Sequence, residues 1–320
     1  MNLNIKTFLI IVSIGLLLSA CDDLPVSPMR VGTNTWIGYQ PLYLAKDLDY
    51  LNMETIRLVQ YPSASEVLRA FRNQTLEAAS LTLDEVLQLR QLDIPVAVIL
   101  IHDFSNGADA IISHSDVKSV KQLKGKVVGV ESGALGAYLI TRALELNNMK
   151  IGDIVVKNID FNFHEKTFQN KEVDAVVTFD PVRARLLSYG GNQIFDSTMM
   201  PGEIVDVLVV HQEYIDRHPD VIKKLIDGWF RAVDYMVNNP ADTYLKLSRR
   251  LHISQQEVET GIKQIVFPDR NKNNQLLGGN NPQLFTTVQR LNKVLIANKL
   301  LHLEITDKDL LTNEFLKDSE

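Results

Sequence analysis

From residue 29 onward the apolar positions follow two alternating periods. Short runs rich in β-branched residues recur at 30–32, 55–60, 78–80, 96–101, 110–113, 127–130, 154–156, 175–178 and 207–210. Each reads as a strand. Between them the apolar spacing widens to three and four residues, at 41–51, 65–73, 83–92, 120–123, 135–147, 163–170 and 182–187, the signature of amphipathic helices. Regular alternation predicts an α/β fold with largely parallel sheets, because parallel neighbours need a crossover helix. After Val210 the short period disappears. The segments 218–238, 241–251, 254–264, 282–298 and 307–315 predict a helical C-terminal part, with starts or breaks at His218-Pro219 and Asn239-Pro240.

The first twenty residues obey a different rule. Lys6 precedes an apolar run over 8–18, and Ser19-Ala20-Cys21 follows. A charged end, a short apolar core and small residues are the order of a secretory signal. The core is too short to span a bilayer permanently. Residues 21–28 then read as a proline-containing tether. Cys21 is the only cysteine, so an exported chain would be held by its core without disulfides. Loss of residues 1–20 removes one lysine and moves the formal charge from −6 to −7. With 45% apolar and 22% charged residues the composition is ordinary for a globular protein. The absence of a basic stripe argues against nucleic acid as a partner. No second apolar run reaches membrane-spanning length, so the chain is not itself a permease. Its length accommodates two ordinary domains.

No Ser-His-Asp order, HExxH, CxxC or phosphate-binding glycine loop is present, and no cofactor or metal is implied. The one local pattern with site character is Val127–Val130 running into Glu131-Ser132-Gly133 and a helix opening at Ala134. Open α/β sheets place ligands at such strand ends.

Leu18-Ser19-Ala20-Cys21 resembles the lipobox of bacterial lipoproteins, which implies cleavage before Cys21 and its lipidation, mooring the body to the outer face of a membrane. Asp22 and Asp23 resemble an inner-membrane retention signal. Further segments extend the resemblance: Thr35-Trp36-Ile37-Gly38-Tyr39 with Pro41-Leu42-Tyr43-Leu44-Ala45, Asp103-Phe104-Ser105-Asn106-Gly107-Ala108-Asp109, Leu123-Lys124-Gly125-Lys126, Val173-Asp174-Ala175-Val176-Val177 with Asp180-Pro181, and the His218-Pro219 helix. In order and spacing they are similar to substrate-binding proteins of ABC importers, in the group of nitrate, sulfonate, taurine and thiamine-pyrimidine binders. The resemblance implies a type II periplasmic-binding-protein fold of two α/β lobes with a ligand cleft between them. Mapped here, lobe 1 is 29–107 plus 209–320 and lobe 2 is 108–208. Hinges are expected near Asn106-Gly107 and near 206–209. A monomer that hands a small molecule to an ABC permease follows. The alternatives are a ligand sensor feeding a membrane receptor and an enzyme on the same fold.

The resemblance places ligand contacts on loops at strand ends. Trp36 and Tyr39 would stack a planar or cationic ligand, or else pack between lobes. Asn34, Ser80 and Thr82 offer polar groups that serve equally as caps. Asp103, Ser105 and Asp206 lie at the same edge. Glu131, Ser132 and Tyr138 surround a helix start, where Ser132 reads first as an N-cap. Asp180 before Pro181 is a ligand residue or a helix cap. One inference is independent of the resemblance. The putative cleft loops 33–40, 61–66, 80–85, 103–109, 131–138, 178–181 and 201–206 hold no lysine or arginine. They do hold Glu66, Asp84, Glu85, Asp103, Asp109, Glu131, Asp180, Glu203 and Asp206. Unpaired buried carboxylates are costly, so a cationic or donor-rich solute, such as an amine or aminopyrimidine, is expected over an anion.

Overall fold

The computed structural model describes residues 27–317. The signal segment 1–20, Cys21 and most of the 21–28 tether lie outside the described residues. The strands form two sheets. The first contains β1 (Met29–Thr33), β2 (Ile56–Gln60), β3 (Ala78–Thr82), β4 (Val96–Ser105), β10 (Val205–His211) and β11 (Ile265–Val266), in the order β11-β4-β10-β3-β1-β2. The second contains β5 (Asp109–Ser113), β6 (Val127–Val130), β7 (Val155–Asn158), β8 (Ala175–Phe179) and β9 (Asn192–Asp196), in the order β7-β6-β8-β5-β9.

The sheets are mixed rather than largely parallel. β2, β1 and β3 run parallel, as do β7, β6 and β8. By contrast β10 is antiparallel to β3 and β4, and β5 is antiparallel to β8 and β9. The exceptions are the strands that receive the chain from the other sheet. They arrive without a crossover helix, so antiparallel pairing is open to them.

Helices cover the sheets. In lobe 1 these are α1 (Gln40–Asp47), α2 (Ala64–Arg72), α3 (Leu83–Arg90), α7 (Gln212–Arg217), α8 (Pro219–Asn238), α9 (Pro240–Leu251), α10 (Gln255–Lys263), α11 (Arg270–Leu277) and α12 (Phe285–Ala297). Lobe 2 has α4 (Leu135–Leu146), α5 (His164–Gln169) and α6 (Val182–Ser188). α8 shows why the C-terminal part is helical. Its buried Ile222, Leu225, Ile226, Trp229, Phe230, Val233 and Met236 recur at three- and four-residue spacing, one continuous apolar stripe. Burial of each of these larger side chains contributes about 1.5–3 kcal/mol.

Three parts of the sequence reading change. The expected helix over 307–315 is instead two 3-10 turns, Lys308–Leu310 and Glu314–Leu316, joined by a bridge from Leu311 to Val98. Adjacent Leu310 and Leu311 are both buried, which a single helical stripe does not satisfy. β9 and α11 carry no apolar periodicity, because NQIFD is a sheet edge and RNKNNQLL is mostly polar. The lobe boundary also moves. Residues 206–209 are paired on both sides, to β3 and β4, so they belong to the first sheet.

The chain crosses between sheets at residues 106–108 and 197–204. Gly107 has φ +114°, a conformation that side chains disfavour. The crossings are tied together. Ser197 Oγ accepts the Gly107 N–H at 2.6 Å and lies 2.8 Å from Ser105 Oγ.

Candidate functional site

The C-terminal ends of β1, β3, β4 and β8 converge where the lobes meet. The turn after β1 carries Asn34, whose Oδ1 accepts the Trp36 N–H at 2.8 Å. This aims the indole inward. Trp36 Nε1 donates to Asp103 Oδ2 at 3.2 Å, and its ring meets Phe179 of lobe 2 edge-on, with centroids 5.4 Å apart. Tyr39 donates its hydroxyl proton to Asp206. Gly38 makes this possible, because a Cβ there would overlap both the Asp103 carboxylate and the indole nitrogen.

Five of the nine acids in the charge pattern are buried together. Asp84, Glu85, Asp103, Asp109 and Asp206 are each at most 3% exposed. Burial raises the pKa of every one, and neighbouring acids reinforce the shift for Glu85, Asp103, Asp109 and Asp206. Asp109 is pushed up to about 7. One oxygen on each of Asp84, Asp103 and Asp109 has no hydrogen-bond partner, nor does the Thr82 hydroxyl. Arg183 faces this region from α6, but it donates to Asp180 Oδ2 at 3.0 Å and to Gln264 across the lobes. Among the described residues no three of the acids, histidines or cysteines are arranged to hold a metal ion.

Two carboxylates cross the cleft to opposite helix starts. Glu131 of lobe 2 accepts the Ser65 N–H of α2 at 2.7 Å. Glu85 of lobe 1 accepts the Leu135 N–H of α4 at 3.2 Å while holding its own Thr82 N–H at 2.9 Å. The N-terminal N–H groups of both helices are thus occupied by the protein's own carboxyl oxygens.

Inside this closure lie two small cavities, about 30 and 20 Å³. Each has room for a water molecule or two. Asn34, Trp36, Tyr39, Thr82, Asp206 and Glu131 line one or the other, joined by Glu85, Asp109, Leu135 and Phe179. A solute therefore requires the lobes to part. A separate cavity of about 550 Å³ lies wholly within lobe 1, between α8, α9 and α10, where lobe closure would not sense it.

Other expected site residues fall elsewhere. Ser80 is bonded to His102 at 3.0 Å within lobe 1. Ser105 bridges the crossing segments. Ser132 is exposed and is not the helix cap, since α4 starts after Ala134. Its backbone N–H goes to Asn158. Tyr138 turns away from the cleft and donates to Glu203 at 2.7 Å, beside a bidentate Arg142–Glu203 pair. These contacts anchor the second crossing to α4. Asp180 accepts the Ala184 N–H at 3.1 Å and serves α6 as well as Arg183.

The sequence reading missed Phe179 and Leu135, apolar residues indistinguishable from core. It also missed Arg250, which α9 brings to the mouth of the cleft, where its Nε donates to Gln40 at 3.0 Å. No local motif announces a partner 210 residues away.

Two mixed sheets, two crossings and polar groups gathered between the lobes define a periplasmic-binding-protein fold. The chain belongs to the NMT1-like family, whose model matches residues 22–246. The taurine-binding periplasmic protein of Escherichia coli is 21% identical over 195 residues, 60% of each chain. A candidate binding protein of Brucella abortus is 24% identical over 160 residues, 49% of this chain and 50% of that one. The chain spans about half the length of the curated relatives of this kind that it matches. Among solved structures, the alkanesulfonate-binding protein SsuA of Xanthomonas axonopodis pv. citri, bound to MOPS, superposes with TM-score 0.76 at 16% identity, covering 88% of this chain and 96% of that one. A zinc-bound ligand-binding component of an ABC-type import system from Staphylococcus aureus also gives 0.76, at 12% identity over 92% and 99%. The desulfurization enzyme DSZB shares the fold with TM-score 0.63, at 14% identity over 90% and 97%. Likeness at this distance speaks to fold alone.

Proposed function

We propose that this protein captures a small solute outside the cytoplasm by lobe closure and delivers it to an ABC importer. We further propose that the solute is cationic or rich in donors, such as an amine, an amidine-like group or an aminopyrimidine. The observation that carries the second statement is the cluster of five buried carboxyl groups, of which Glu85, Asp109 and Asp206 line the inner cavities, with an unpartnered oxygen on Asp109 there and on Asp84 and Asp103 behind it. An amine or amidinium would satisfy those oxygens through charge-assisted bonds. An anion would meet Glu85 and Glu131 already seated at the helix starts. Closure then follows from differential affinity, because only the closed form lets both lobes touch the solute. The relatives' names support the transport role, and the signal-like start supports export with a lipid anchor on Cys21.

Mass spectrometry of small molecules released from freshly purified, denatured protein should yield an amine-bearing compound. A thermal-shift panel should show stabilisation by amines or pyrimidines. Stabilisation by sulfonates or nitrate alone would end the cationic reading. Labelled palmitate should enter the wild-type chain and not Cys21→Ser. The likeness to DSZB keeps an enzyme on the same fold as the alternative, which turnover of a bound solute would reveal. Presentation of the solute to a membrane receptor shares the same binding step.

A further inference from the structure

The mouth of the cleft has the opposite electrostatic character. A pocket of about 470 Å³ opens between the lobes, with Gln60, Arg250 and Thr35 on one side and Phe161, Asn162 and Arg185 on the other. This volume lies in the range that holds small organic ligands. Phe161 stacks face to face on Phe179 at 4.0 Å and 5°, and Phe179 lines both inner cavities. One pair of rings is therefore the wall between the acidic interior and the outer pocket.

The charges of the outer pocket do not cancel. Arg185 is matched by Glu165 at 2.7 Å. Arg250 makes no ion pair among the described residues. Its Nε and Nη2 donate to the neutral amide oxygens of Gln40 and Gln60, at 3.0 and 2.5 Å, and its guanidinium lies 3.3 Å above the centroid of the Tyr43 ring. These partners orient the cation without neutralising it; Asp47 attracts it electrostatically but forms no ion pair with it. The nearby Thr35 hydroxyl is sealed from solvent and has no partner. A half-buried guanidinium whose hydrogen-bond partners are all neutral, beside an unused hydroxyl in a pocket of ligand size, is equipped to receive an anion.

We propose that this pocket is an anion subsite contacted by both lobes, so that the solute is dipolar, with its cationic end among the inner carboxylates and a carboxylate, sulfonate or phosphate end against Arg250. The cationic half rests on the reading above; the anionic half rests on Arg250 and its surroundings alone. The acidic interior and the sulfonate-type relatives then cease to conflict, since one molecule can carry both charges.

The test uses calorimetry on the full chain with three probe series of matched length: alkylamines, alkanoates and ω-aminoalkanoates of two to six carbons. In the wild type the best ω-aminoalkanoate should bind at least about tenfold tighter than the matched amine, as expected for a charge-assisted contact. Arg250→Gln should abolish that advantage and leave amine affinity unchanged, while Arg250→Lys should restore part of it. Equal affinity for amine and zwitterion in the wild type, or an advantage that survives Arg250→Gln, would overturn the anion subsite. If alkanoates alone bind and lose affinity in Arg250→Gln, the subsite stands and the cationic reading falls. If no series binds or raises the melting temperature, both fall. Circular dichroism of each variant guards against misfolding.

Discussion

The carboxylate cluster predicts that pH alone opens the empty cleft. Asp109 is 3% exposed and lines both inner cavities. Its carboxyl is held up to about 7, from an ordinary 3.8, chiefly by burial and then by Asp180 and Asp84, against the opposing pull of the Ser105 hydroxyl and Arg183. A raised carboxyl pKa means the closed form holds the proton more tightly than the open, hydrated form. Closed-state stability from this group is therefore complete below about pH 4 and is lost as pH rises through about 7. Holding the carboxyl at about 7 rather than 3.8 corresponds to about 4 kcal/mol, and half of that changes the closed-to-open ratio roughly fortyfold. Glu85, Asp103 and Asp206 shift in the same direction. Trp36 supplies the assay, because it is 3% exposed against Phe179 of the other lobe. The second of the two tryptophans, Trp229, is buried inside lobe 1 and serves as the constant background. Between pH 5 and pH 8 the ligand-free protein should show red-shifted Trp36 emission and an increased radius of gyration in solution scattering. Asp109→Asn should move that transition to higher pH. Identical emission and radius at both pH values, with Asp109→Asn unchanged, would refute the argument.

Three further outcomes follow from the contacts. Gly38→Ala should displace the Asp103 carboxylate from Trp36 and lower stability by about 1–3 kcal/mol, the cost of stranding buried polar groups, measured as a lower urea midpoint. Glu203→Gln should cost about 2 kcal/mol by weakening the Arg142 pair and the Tyr138 bond that fix the second crossing, and exchange of amide protons across 197–204 should accelerate. His102 is buried against Trp229 and Tyr39 and its pKa is lowered to about 3. Its imidazole should stay neutral by nuclear magnetic resonance down to pH 4. Its contribution to folding is complete above about 6.5 and lost as pH falls toward 3. A titration of His102 near 6 would contradict its burial.

Much of this protein was legible without coordinates. Strand and helix periods follow from side-chain geometry within a few residues, so the α/β alternation, most of the strand segments and the α8 stripe could be read directly. The turn carrying Asn34, Trp36, Gly38 and Tyr39, and the surplus of acids at strand ends, were visible for the same reason: both are local. What tertiary structure alone decided is pairing across distance. It assigned residues 206–209 to the first sheet, because only the ladder with β3 and β4 reveals that strand's home. It turned Tyr138 toward Glu203 rather than the cleft, and it closed Glu85 and Glu131 onto each other's neighbouring helix starts. It also carried Arg250 to a pocket mouth that no motif foretold. Local sequence records the preferences of a segment, whereas the sign and shape of a cleft are sums over segments that meet only when the chain folds.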